Sequence, residues 1–110
     1  MGVETFEIEF YETKGGKAPY EVWYQTLRDI KTKAIILKRL AKVRRGNLGE
    51  WASVGEGVKE LKIDLGPGYR IYFGEENQKL LILLLGGDKK TQSKDINKAV
   101  EYWRDYKSRR

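Results

Sequence analysis

Lys62, Asp64, Arg70 and Tyr72 alternate along two short segments that flank Gly66-Pro67-Gly68, and Asp88, Lys89 and Lys90 follow a third. Cations beside an aromatic ring suit a phosphodiester, because the cations hold the phosphate and the ring offers its face to a base. Cutting RNA through its own 2′-OH needs three things: removal of a proton, a donor to the leaving 5′-oxygen, and stabilisation of a dianionic phosphorane. Histidine is the usual proton carrier, and the chain has none. The available base is then a lysine whose ammonium is destabilised by neighbouring cations, while arginine, always charged, suits the phosphorane. Such a step requires no metal, the sequence offers no compact carboxylate cluster to bind one, and no cofactor is expected. The same residues also fit a plain alternative, in which Asp64 and Arg70 form a cross-strand ion pair worth about a few tenths of a kcal/mol if exposed.

A second feature is the string GGDKKTQ at 86–92. Glycines ahead of a helix N-terminus can bind an anion through free backbone N–H groups. The spacing is not that of a P-loop, and a plain strand-to-helix turn needs no ligand.

These residues must be positioned by the stretch from Val58 to Gly87, which reads as three consecutive antiparallel strands. Leu61, Ile63 and Leu65 alternate with Glu60, Lys62 and Asp64, and Tyr69, Ile71 and Phe73 alternate with Arg70 and Tyr72. Period-two alternation marks a sheet with one apolar face. Pairing Leu65 with Tyr69 across the Gly-Pro-Gly turn puts Asp64 opposite Arg70 and Lys62 opposite Tyr72, on the polar face. Leu80 to Leu85 is apolar at every position, so that strand is expected to be central and covered on both sides. Gly86-Gly87 is expected to end it in a tight turn.

The remaining elements follow in order. Thr5 to Tyr11 alternates Phe6, Ile8 and Phe10 with Glu7 and Glu9 and reads as the first strand. Pro19 suits the first turn of a helix, in which Trp23, Leu27 and Ile30 recur at helical spacing and are expected in the core. A second helix over Thr32–Arg45 carries the apolar stripe Ile36, Leu40 and Val43 and ends at Gly46-Asn47. Residues 46–57 form an irregular approach, or a short edge strand at Trp51–Val54. A last helix over Lys94–Tyr106, with Thr91 or Ser93 as its cap, packs Ile96, Ala99, Val100 and Trp103 inward. The expected fold is α+β: a small, mostly antiparallel sheet in the order β-α-α-β-β-β-α. An N-terminal helical hairpin covers one face and the C-terminal helix covers the other.

The chain of 110 residues is expected to form one domain over 1–110. Without cysteine there is no disulfide framework or thiol chemistry. No apolar run is long enough to span a bilayer and no signal or transit segment opens the chain, so a cytoplasmic protein without a membrane partner is expected. The net charge of +6 is uneven: residues 31–45 carry 7 basic and no acidic groups, and residues 89–110 carry 8 and 3. Such a field attracts polyanions, nucleic acid above all, although a basic helix is also often just a solvated one.

The strings GNLGEWASVGEGVKEL, IDLGPGYRIYF and LLLGGDKKTQSKDINKA together resemble the HigB-like branch of the RelE/ParE toxin superfamily, the addiction-module killer proteins. The likeness spans nearly the whole chain. It implies a RelE-like fold and a toxin of a type II toxin–antitoxin module. RelE-type members cleave translated mRNA on the ribosome without metal, whereas ParE-type members inhibit DNA gyrase; a degenerate member would only bind antitoxin. Under the first reading Arg70 matches the family's phosphate-contacting arginine, Lys62 faces the same cleft, and Lys89 and Lys90 fall at the basic position after the last strand. RelE itself has a base-stacking tyrosine in its last helical segment, where this chain has Asp95 and Ile96, so the resemblance implies either that Tyr72 substitutes from the hairpin or that cleavage uses a different set of residues or is weak. Lys59 joins Tyr72 as an RNA contact, and Lys38, Lys42 and Arg45 of the second helix would dock on ribosomal RNA. The implied partners are the ribosome, mRNA and a small antitoxin with a DNA-binding part.

Overall fold

The six apolar residues from Leu80 to Leu85 leave a strand no face to turn to water, and they lie in an inner strand flanked on both sides. The computed structural model describes residues 5–110. The first four positions of the expected domain, and with them the expectation of how the chain opens, lie outside the described residues. In chain order the elements are β1 (Glu7–Phe10), α1 (Pro19–Thr26), α2 (Ile30–Arg44), β2 (Trp51–Gly55), β3 (Val58–Ile63), β4 (Tyr69–Glu76) and β5 (Leu80–Asp88). A 3-10 turn (Lys89–Thr91) then leads into α3 (Gln92–Ser108). The sheet runs β1-β5-β4-β3-β2. β1 lies parallel to β5 and every other pairing is antiparallel, so the sheet is mixed.

Alternation sorts the core into two layers. Leu61, Ile63, Ile71, Phe73, Leu81 and Leu83 face Tyr20, Ile36, Leu40 and Val43 of α1 and α2. Val58, Tyr72, Ile82 and Leu84 face Ala99 and Trp103 of α3. Each such buried aliphatic side chain contributes about 1.5–3 kcal/mol relative to exposure. The helical hairpin and the last helix thus cover opposite faces of the sheet.

Four expectations need correction. The expected order lacks a strand: of the two readings of residues 46–57 the edge strand holds, since Trp51–Gly55 pairs with β3 at the edge of the sheet; only Ala52 and Val54 turn inward there, too few to mark a period among the glycines. Ile30 is 81% exposed rather than in the core. Asp29 caps α2 earlier than expected by accepting from the Lys31 N–H at 3.1 Å and the Thr32 hydroxyl at 2.9 Å, and α1 has already ended at Thr26.

The third correction is the register of the β3–β4 hairpin. Ile63, not Leu65, lies opposite Tyr69, so Lys62 faces Arg70, Glu60 faces Tyr72, and Asp64 falls in the loop. The slip is two residues, one full side-chain period, and each strand residue therefore keeps its face. The fourth concerns Gly86 and Gly87. Neither makes a tight turn; both lie inside β5. A bulge after Leu83 puts Leu85 opposite Tyr72 and leaves Leu84 as the extra residue. Beyond it Gly86 faces α1 and Gly87 faces α3. A Cβ on Gly86 would collide with the Trp23 indole, and one on Gly87 with the Asp95 carboxylate. These glycines serve close approach.

Candidate functional site

Lys62 on β3 and Arg70 on β4 are direct cross-strand partners, so both side chains leave the sheet on the α3 side. Arg70 runs toward the β3–β4 loop and meets the 3-10 turn at Gly68. A methyl group on Gly68 would lie 3.7 Å from Arg70 Nη1 and 3.5 Å from Lys89 Cβ. The Arg70 guanidinium and the base of the Lys89 side chain therefore flank Gly68 where the hairpin loop meets the turn ahead of α3, with Lys62 across the strands from Arg70. Lys62 is half-buried and Lys89 is exposed.

Beneath them lies a buried polar layer. The Arg70 side chain is only 12% exposed, and its Nε stands 3.7 Å from Oε2 of Glu60, whose side chain is 1% exposed. Gln92, in the first turn of α3, donates to the same Glu60 oxygen at 2.8 Å. Tyr72 is fully buried beside them. Among the described residues, neither its hydroxyl nor Arg70 Nε finds a hydrogen-bond partner. Burial pushes the Tyr72 phenol well above its ordinary pKa, and the charge of Glu60 adds to the shift. Burial also pushes the Asp95 carboxyl up, against the Thr91 hydroxyl that donates to it at 2.5 Å.

The other candidate residues lie elsewhere. Tyr72 cannot offer its ring to a base, because the seventeen-residue helix α3 covers that part of the sheet. Lys59 has the opposite parity from Lys62 and sits on the other face. Its Nζ is 3.0 Å from Glu75 Oε1 and 5.0 Å from the centre of the Trp51 ring. Lys90 is exposed on the 3-10 turn. The backbone donors expected to bind an anion there are already engaged: Asp88 Oδ1 accepts from the N–H of Lys90 at 2.9 Å and of Thr91 at 3.3 Å. Lys38, Lys42 and Arg45 are exposed on α2 or at its end. Lys38 and Lys42 line a groove with Ile35, Ile63 and Leu65. That groove lies on the α2 side of the sheet, away from Arg70. Asp64 is exposed and has no ion pair with Arg70.

Sequence reasoning missed three residues. Glu60 shares the parity of Lys62, and a carboxylate at that position of an inner strand was the available signal. Gln92 gave none. Arg39 looked like one more cation of the basic helix, yet it ties α2 to the chain leading into β2 and to the end of β3. Nε and Nη2 donate to the Leu48 carbonyl at 3.2 and 2.8 Å, Nη2 also donates to that of Glu50 at 2.7 Å, and Nη1 donates to that of Lys62 at 2.6 Å. Burial lowers its pKa and the Glu50 charge partly offsets this.

Three cations around an exposed loop can hold a phosphate and neutralise charge that builds on it. Among the described residues, no helix is long and apolar enough to cross a membrane. No protein-family model matches the chain. A protein of Haemophilus influenzae (strain Rd), described as uncharacterized, is 45% identical over 80 residues, which span 73% of this chain and 81% of that one. Identity of that degree over most of both chains establishes common descent, and this protein belongs to the family of that uncharacterized Haemophilus protein.

Proposed function

We propose that this protein is a RelE-like toxin of a type II toxin–antitoxin module that cuts translated mRNA on the ribosome. The observation that supports this most is the pairing of Lys62 with Arg70 on one face, with Lys89 against the same loop. Arg70 binds the scissile phosphate and stabilises the phosphorane. Lys62 takes the 2′-OH proton or holds the phosphate, and Lys89 assists the leaving 5′-oxygen, with Lys90 as a rim contact. Lys38, Lys42 and Arg45 meet ribosomal RNA through a salt-sensitive contact. On this reading the protein acts in the cytoplasm and its partner is a small antitoxin.

One observation favours a different class. Arg70 is largely covered and faces a buried carboxylate, which also suits a non-catalytic member that inhibits gyrase or only binds antitoxin. Induction of the toxin, with RNA mapped in wild type and Arg70→Ala, separates the two. The nuclease reading expects cuts in translated messages, loss of about 10²-fold or more in Arg70→Ala, and intact message once the antitoxin is co-expressed. Intact message with the wild type, or equal cutting by Arg70→Ala, would overturn it. DNA damage with unchanged message would favour gyrase inhibition.

A further inference from the structure

We infer that Glu60 is a positioning residue for Arg70: a buried carboxylate, itself held by Gln92, that fixes the guanidinium with its Nη end toward Gly68 and Lys89. The inference rests on the reading of Arg70 as the phosphate ligand.

A carboxylate on an inner strand is costly to bury, and apolar residues of similar volume in place of a buried ion pair are often neutral or stabilising. The fold alone therefore does not call for Glu60. What the carboxylate does is visible in its contacts. One oxygen accepts from Gln92 Nε2 at 2.8 Å, so the first turn of α3 fixes its position. The same oxygen lies 3.7 Å from Arg70 Nε, a nitrogen that is buried and has no hydrogen-bond partner among the described residues. The attraction thus acts on the inner edge of the guanidinium and leaves its outer end at the surface, where Nη1 flanks Gly68. An arginine loses about 2 kcal/mol of rotamer freedom when it is immobilised. A side chain already fixed meets its phosphate without that loss. Lys62, half-buried beside Arg70, has no such tether among the described residues and can adjust to substrate.

The test is Glu60→Gln in the full chain, which keeps the shape and leaves an oxygen to accept from Gln92. The side-chain Nε–Hε resonance of Arg70 reports its position by NMR without any need for nuclease activity. We expect that proton to exchange with water about tenfold faster in Glu60→Gln than in wild type. Single-turnover cutting of message should fall about tenfold to hundredfold at unchanged ribosome affinity, and Glu60→Gln should add nothing in an Arg70→Ala background. An Arg70 resonance unmoved by Glu60→Gln, or additive losses in the double variant, would overturn the inference. Should Glu60→Gln not fold, Gln92→Ala releases the carboxylate while leaving both charges in place, and Arg70 should loosen in the same direction; no change there would also overturn it. A wild type that cuts no message removes the nuclease reading, while the NMR comparison still decides whether Glu60 holds Arg70.

Discussion

Tyr72 shows how one side chain can serve two opposite accounts of a surface. As a base-stacking ring it would carry about 1–3 kcal/mol of RNA binding and leave stability alone when its hydroxyl is removed. It lies fully buried under α3 instead, with a hydroxyl that has no partner among the described residues. An unsatisfied buried hydroxyl costs about 1–3 kcal/mol, and removing it along with the need for a partner is neutral or stabilising. Tyr72→Phe should therefore leave the urea midpoint unchanged or raise it by the equivalent of about 1 kcal/mol, with no effect on RNA binding. A midpoint lowered by more than about 1 kcal/mol would show that the hydroxyl is bonded after all.

At the scale of elements, the polar face of the β3–β4 hairpin was legible because side-chain parity is robust. The loop over residues 64–68 is longer than Gly66-Pro67-Gly68 suggests, yet a two-residue slip moved every partner and no face. What lay on top of that face was not legible. The alternation Glu60, Lys62, Arg70, Tyr72 looks the same whether water or a helix covers it, and α3 proved long enough to cover half of it. The bulge at Leu84 was hidden in a run where every residue is apolar, so that no change of phase could show. Arg39 was hidden among like charges, since chain order says nothing about which cation reaches three carbonyls. That difference is measurable. Arg39→Ala strips donors from the carbonyls of Leu48 and Lys62 and should cost about 2 kcal/mol, with loosening of the segment ahead of β2. Arg104→Ala, which removes a bidentate but exposed pair with Glu56, should leave the urea midpoint almost unmoved, because water screens both charges. Equal losses in urea unfolding would mean that the tie from α2 to β3 carries no special weight.

At the scale of the whole molecule, tyrosines sit at the heart of both layers, and this makes stability sensitive to alkali. Tyr20 is buried between the helical hairpin and the sheet, Tyr72 between the sheet and α3, and Tyr11 where the end of β1 meets α3. Burial pushes all three phenols above the ordinary value of 10.0. For Tyr11 the value is about 12, because burial is reinforced by Asp105, to which its hydroxyl donates at 2.6 Å. The folded chain keeps these protons while the unfolded chain releases them near pH 10, so above that pH the unfolded state binds fewer protons. The stabilisation is complete below about pH 10 and is lost as the pH rises through the folded values. Each retained phenol proton lowers stability by about 1.4 kcal/mol per pH unit. Against a total of about 5–15 kcal/mol, three such groups acting on both faces of one sheet should bring cooperative unfolding within about two units above pH 10. Urea midpoints measured upward from about pH 9, together with the near-ultraviolet absorbance of tyrosinate, test this. The midpoint should fall steeply and part of the tyrosine signal should rise only with unfolding; a flat midpoint with all tyrosines titrating together near pH 10 would mean that neither layer excludes water from its phenols.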